Sequence, residues 1–156
     1  MNVSRRSFIK QSAALGALTA TLLTCLLKTT AVLAATWNSL AFAAKNNDDA
    51  MKVSGYDGGV ESNDIVLKVS EIAENGAVVP VEATSNITGT TSMAFFIADN
   101  PNPLIADFTF SNGALPFIFT RVKMAKTSIV RVAVKAGGKV YTTSKSVKVT
   151  TGGCGS

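Results

Sequence analysis

Ser128-Ile129-Val130-Arg131-Val132-Ala133-Val134-Lys135 decides the fold class. Val130, Val132 and Val134 fall on one side of an extended chain, and Arg131 and Lys135 fall on the other. A period of two is the signature of a strand with one buried face and one wet face. Six further runs rich in β-branched and aromatic residues lie at 65–69, 78–84, 93–98, 104–110, 117–124 and 140–149. Turn signals separate them: Asn75-Gly76, Asn100-Pro101-Asn102-Pro103, Asn112-Gly113 and Gly137-Gly138. In the run at 104–110, Ala106, Phe108 and Phe110 read as inward, with Asp107 and Thr109 outward. Short strands at regular spacing predict a mainly β chain, an immunoglobulin-like antiparallel β-sandwich. The Cys…Trp…Cys core of antibody domains is absent.

Three details refine this expectation. Pro80 cannot donate to a sheet ladder, which argues for an edge or a bulge at its strand. The run at 93–98 is apolar on both faces, with Phe95 and Phe96 on opposite sides. Such a strand is either central or covered by a second chain, and part of the sandwich's apolar surface is expected to meet a partner. Ahead of the sandwich, 37–52 has helical spacing. Leu40, Ala43 and Ala44 are its expected packing residues, and its expected place is the sandwich end.

The N-terminal stretch reads as an address. Ser4-Arg5-Arg6-Ser7-Phe8-Ile9-Lys10 has the form of a twin-arginine export signal, with Arg5 and Arg6 as the recognised pair. An apolar stretch follows from about Ala13 to Leu27, then small residues at Val32-Leu33-Ala34-Ala35 that suit cleavage after Ala34. A cut after Ala43 is the second choice. Lys28 interrupts the apolar stretch and argues against a permanent membrane span. Cys25 reads as an apolar residue of the signal, since Thr24 suits a lipid-attachment site poorly. The expected organisation is signal peptide 1–34, sandwich domain 35–149 and mobile arm 150–156.

Removing the signal changes the charge argument. The full chain has 15 basic and 10 acidic residues. Arg5, Arg6, Lys10 and Lys28 leave with the signal, so 11 basic residues face the same 10 acidic ones. No basic surface for nucleic acid remains. The chain has no histidine, which excludes Ser-His-Asp and Cys-His nucleophile pairs and histidine-based metal sites. Gly58-Gly59 lies in a polar linker, so no phosphate-cradling loop follows a strand. Asp48 and Asp49 are adjacent on a helix and point apart, as a solvated face does. No self-sufficient active site and no cofactor site can be assembled from these residues.

One residue stands out chemically. After processing, Cys154 is the single cysteine, set in Gly152-Gly153-Cys154-Gly155-Ser156. Glycine lacks Cβ, so this segment is expected to be a flexible arm with an exposed thiol. An unpaired cysteine in an exported protein signals intermolecular pairing or a reactive thiol. Lys148 is six residues back and fixes no charge beside it, so the thiol is expected near its ordinary pKa of about 8.5. It is then weakly reactive alone and needs activation elsewhere. Two readings are open: a carrier that presents Cys154 to other proteins, and a binding module that uses it for an intermolecular disulfide. A thiol-redox enzyme fits worst, because no resolving cysteine exists.

The chain resembles the SoxY family. Gly152-Gly153-Cys154-Gly155 matches that family's carrier motif, except that Ser156 stands where a further glycine is usual. Further matching segments are 71–81 (Glu71-Ile72-Ala73-Glu74-Asn75-Gly76-Ala77-Val78-Val79-Pro80-Val81), Asn100-Pro101-Asn102-Pro103 and Arg121-Val122-Lys123-Met124-Ala125. The resemblance implies a periplasmic sulfur carrier of thiosulfate oxidation, acted on by enzymes and not itself one. Cys154 would hold the sulfur intermediates covalently. It also implies partners: a SoxZ-like subunit in a heterodimer, the c-type cytochrome pair SoxXA that conjugates thiosulfate, the manganese-dependent hydrolase SoxB and, in many systems, the molybdenum–haem dehydrogenase SoxCD. A twin-arginine signal on a chain without a cofactor further suggests co-export of a folded partner, for which SoxZ is the candidate.

Overall fold

The computed structural model describes residues 37–151. The expectations placed on Arg5, Arg6, Gly152, Gly153, Cys154 and Gly155 fall outside the described residues. Two helices open the described chain, α1 (Ser39–Ala43) and α2 (Asn47–Val53). Nine strands follow: β1 (Val60–Glu61), β2 (Ile65–Val69), β3 (Ile72–Ala73), β4 (Val79–Ser85), β5 (Thr90–Ile97), β6 (Leu104–Thr109), β7 (Phe117–Val122), β8 (Ser128–Ala136) and β9 (Lys139–Val149).

The strands form two sheets. The larger runs β9-β8-β5-β6, with β1 and β3 both added in parallel to the outer edge of β9. The smaller is β2-β4-β7, antiparallel throughout. Their inner faces meet in one apolar core. Ile65 and Leu67 of β2, Val79, Val81 and Ala83 of β4, and Val122 of β7 pack against the larger sheet. From that sheet come Met93, Phe95 and Ile97 of β5, Val130, Val132 and Val134 of β8, and Val147 of β9. All of these are buried, as a period of two requires. The β-sandwich expected from the alternating runs is present, and each of the seven expected strands lies within three residues of its expected bounds.

The second face of β5 is covered by the chain itself. Ala94 and Phe96 of β5, Leu104 of β6 and Ala133 of β8 pack against Ala41, Ala50, Met51 and Tyr56. Both Phe95 and Phe96 are fully buried. The doubly apolar strand is therefore central, between β6 and β8, and Phe96 does not call for a second chain. Exposed apolar side chains lie elsewhere, among them two on the outer face of the smaller sheet. Phe117 and Phe119 of β7 are 47% and 57% exposed there.

The helical segment differs from its expectation in three ways. It is two helices, because Ala44 is extended (ψ 141°) and Asn46 starts a new one. The Asn46 side chain accepts the Asp49 N–H at 2.8 Å, and Asp48 and Asp49 occupy the first turn, where negative charge suits the helix dipole. The helices lie on the face of the larger sheet, not at the sandwich end. Their buried residues are Ala41, Ala50 and Met51, whereas Leu40 is 72% exposed, Ala43 is exposed and Ala44 is half-buried. Splitting the helix rotates the expected stripe away from the sheet.

Pro80 also departs from expectation: β4 is the middle strand of its sheet. The pairing of β2 ends at Val69↔Val81, so Pro80 is flanked only by Arg121 of β7. Its missing N–H therefore costs no ladder bond on the β2 side.

Candidate functional site

The chain leaves β9 at Thr150 and Thr151, three residues before Cys154, and both threonines are fastened. The N–H of Thr150 donates to Ala73 O at 3.1 Å, and Thr150 Oγ1 donates to Glu74 O at 3.1 Å. The N–H of Gly76 donates to Thr151 O at 2.8 Å. On the other flank, the N–H of Val149 donates to Thr127 Oγ1 at 2.9 Å. The parallel pairing Ile72↔Lys148 and Ala73↔Val149 sets this register, with Lys148 N–H donating to Glu71 O at 2.8 Å. The arm expected to begin at Thr150 thus has its first two residues tied to the body by backbone bonds.

The fastening continues inward. Gly76 is buried, and its carbonyl accepts the Met124 N–H at 2.7 Å. Met124 is itself buried in the sandwich core. The loop carrying it is clamped by one side chain. Asn100 Nδ2 donates to Lys123 O at 2.6 Å, and Asn100 Oδ1 accepts the Ala125 N–H at 3.0 Å. Asn75 Oδ1 accepts the Ala77 N–H at 2.8 Å and shapes the turn that presents Gly76. Three loops, one each from segments 71–81, 100–103 and 121–125, are wired to one point of exit.

The remaining candidates take structural roles. Asp49 pairs with the Asn46 side chain at 2.6 Å and Asp48 is exposed on α2, so the two carboxylates converge on nothing. Gly59 is a packing glycine beside β9, since a Cβ there would sit 2.5 Å from Thr142 Cγ2. Among the described residues no three metal-ligating side chains come together. A cleft of about 540 Å³, lined by Met51, Arg131 and Thr143 among others, opens between α2 and β9. Thr143 is seven residues from Thr150 along β9, or about 23 Å, so this cleft is remote from the exit point.

Sequence reasoning missed one buried polar group. Tyr56 lies under the helices, with its hydroxyl donating to Asp107 Oδ1 at 2.7 Å and hydrogen-bonded to Ser92 Oγ at 2.9 Å. Lys135 Nζ stands 3.9 Å from its ring centre. Burial, then the bond to Asp107, push the phenol well above the ordinary tyrosine value. Asp107 was read as solvent-facing from its place in the alternation, and it is exposed, but its carboxylate edge serves Tyr56. This cluster holds the helices on the sheet and has no contact with the exit point.

The family model described as "Sulfur oxidation protein SoxY" matches residues 50–154, two thirds of the chain. The chain belongs to the SoxY family. Among solved structures, the sulfur carrier protein SoxY from Chlorobium limicola f thiosulfatophilum shares 40% identity. That alignment covers 70% of this chain and 96% of the Chlorobium protein, with a TM-score of 0.60. Two variants of a superoxide reductase (neelaredoxin) from Ignicoccus hospitalis also align at 11% identity, with TM-scores of 0.48 and 0.47. They cover 67% and 65% of this chain and 90% and 89% of their own. No curated protein matches. The SoxY match extends past the last described residue to Cys154, and it contains segment 71–81, which holds Thr150 and Thr151, and segments 100–103 and 121–125, which are bonded behind it.

Proposed function

We propose that this protein carries sulfur intermediates covalently on Cys154 in the periplasm and presents them to the enzymes of thiosulfate oxidation. The observation that carries the reading is the fastening of Thr150 and Thr151, three residues before a cysteine that the family match includes. A carrier needs a thiol held beyond a firm base, and β9 with its three wired loops is such a base. Export through the pair Arg5-Arg6 supports the periplasm, where thiosulfate would be met.

Loading joins Cys154 Sγ to the outer sulfur of thiosulfate. The one thiol proton and two electrons are released, and the c-type cytochrome pair SoxXA takes the electrons. The hydrolase SoxB then adds water at the terminal sulfonate, releasing sulfate and leaving a persulfide. Where SoxCD is present it oxidises that outer sulfur further. This chain's part in these steps is to position the cysteine. A SoxZ-like subunit is the proposed constant partner. The exposed Phe117 and Phe119 support pairing with a second chain, because side-by-side aromatics on a strand are normally covered.

Intact mass of the protein from thiosulfate-grown cells tests the reading. The expected result is reducible sulfur-oxyanion or polysulfur adducts on Cys154, absent from Cys154→Ser. A stoichiometric covalent dimer without adducts would replace the carrier with a disulfide-linked module.

A further inference from the structure

Beside the exit point lies a small apolar groove. Its volume is about 280 Å³, and its walls include Ile72, Ala73, Glu74, Val78, Val79 and Pro80. Ile72 is 59% and Val78 is 53% exposed. Two of its wall residues, Ala73 and Glu74, hold Thr150 directly through their carbonyls. The groove therefore begins where the carrier segment begins.

We infer that this groove is the docking surface for the enzymes that act on Cys154, and that it receives an apolar side chain from the rim of their active-site entrance. The inference rests on the carrier reading. Its argument is one of reach. From Thr151 to Cys154 is three residues, at most about 11 Å of chain however those residues are arranged. Thr151 cannot advance to extend it, because its carbonyl is held by Gly76. An enzyme that encloses the cysteine must then bring its entrance against the surface around Thr151. The apolar part of that surface is the groove of Ile72, Val78 and Pro80. Buried apolar contacts at the centre of an interface supply most of its affinity, and the charged side chains farther out supply less.

The test uses the full mature protein with SoxXA as the probe enzyme. Val78→Asp and Ile72→Asp each place a carboxylate in the groove, and Val60→Asp places one at an exposed valine on β1, outside the groove. Thermal melting identifies any variant that fails to fold, and the two groove sites give independent readings. Loading of Cys154 with thiosulfate is followed by mass against carrier concentration, and alkylation of Cys154 by iodoacetamide is timed on the same samples. Both groove variants should raise KM for loading by about tenfold, with kcat and alkylation unchanged and Val60→Asp like the parent. Parent-like KM in both groove variants overturns the docking surface while leaving the carrier reading intact. A parallel fall in alkylation also overturns it, since the groove would then act on the thiol and not on the enzyme. Absence of any thiosulfate adduct on Cys154 in the parent protein overturns the carrier reading, and the docking surface with it.

Discussion

Asn100 clamps the loop that stands behind the exit point. Replacing it with alanine removes both halves of its clamp, the donation to Lys123 O and the acceptance from Ala125 N–H. Each such bond contributes about 0.5–1.5 kcal/mol net. The site is only half-buried, so water can satisfy the freed groups, and the loss should total about 1–2 kcal/mol. Asn100→Asp separates the halves. It keeps the acceptor for Ala125 but loses the donor to Lys123, and places a second carboxylate next to Asp99, so it should recover half the loss or less. Urea unfolding measures the global effect and native-state amide exchange the local one. In Asn100→Ala, the Met124 and Gly76 amides should exchange faster than in the parent by more than the global change requires. Amides of β5 and β8 should follow global stability alone. If Asn100→Ala left both the urea midpoint and the Gly76 amide unchanged, the hydrogen-bonded route from Asn100 through Met124 to Thr151 would be refuted.

Phe96→Ala should cost about 3–5 kcal/mol in chemical denaturation, because the ring is fully buried between β5 and the helices; a cost below about 1 kcal/mol would mean the helices do not cover it. Tyr56 binds its proton more tightly folded than unfolded, so stability should fall as pH rises above about 10, where the unfolded phenol ionises. Tyr56→Phe should flatten that alkaline slope, and an unchanged slope would acquit Tyr56. Gly153→Val widens the chain beside Cys154 and restricts its backbone. Turnover with the partner enzymes should drop sharply while alkylation of the thiol barely changes; a drop in both would show that the glycine tunes the thiol itself.

The legible parts of this chain are those written in side chains. The β8 alternation of Val130, Val132 and Val134 is a direct record of one buried face, and the Asn-Gly and Gly-Gly turns mark the strand ends. The two-residue strands β1 and β3 left no such record, since two residues have no period and parallel pairing with β9 is fixed by the path of the chain. The helix break was visible in principle, as Asn46 with Asp49 three residues on is a helix start within a helical pattern. Phe96 announced its burial but not its cover, because nothing local says whether helices or a second chain lie above a strand. The fastening of Thr150 and Thr151 runs almost wholly through backbone groups of Ala73, Glu74, Gly76 and Met124, whose bonding no side-chain pattern encodes. Cys154 stands out in the sequence by its chemistry and its glycine neighbours, and it lies outside the described residues.

Holding Thr151 at Gly76 has a kinetic consequence. A group tied within about 11 Å of a fixed point samples a volume of at most about 6 nm³, an effective concentration of about 0.3 M. Under the proposed carrier role, a docked enzyme would meet the cysteine at a concentration far above that of a thiol free in solution. Freeing Thr150 and Thr151 would lengthen the tether by two residues and enlarge that volume several-fold. Three backbone and hydroxyl bonds thus set a local concentration for whatever Cys154 carries.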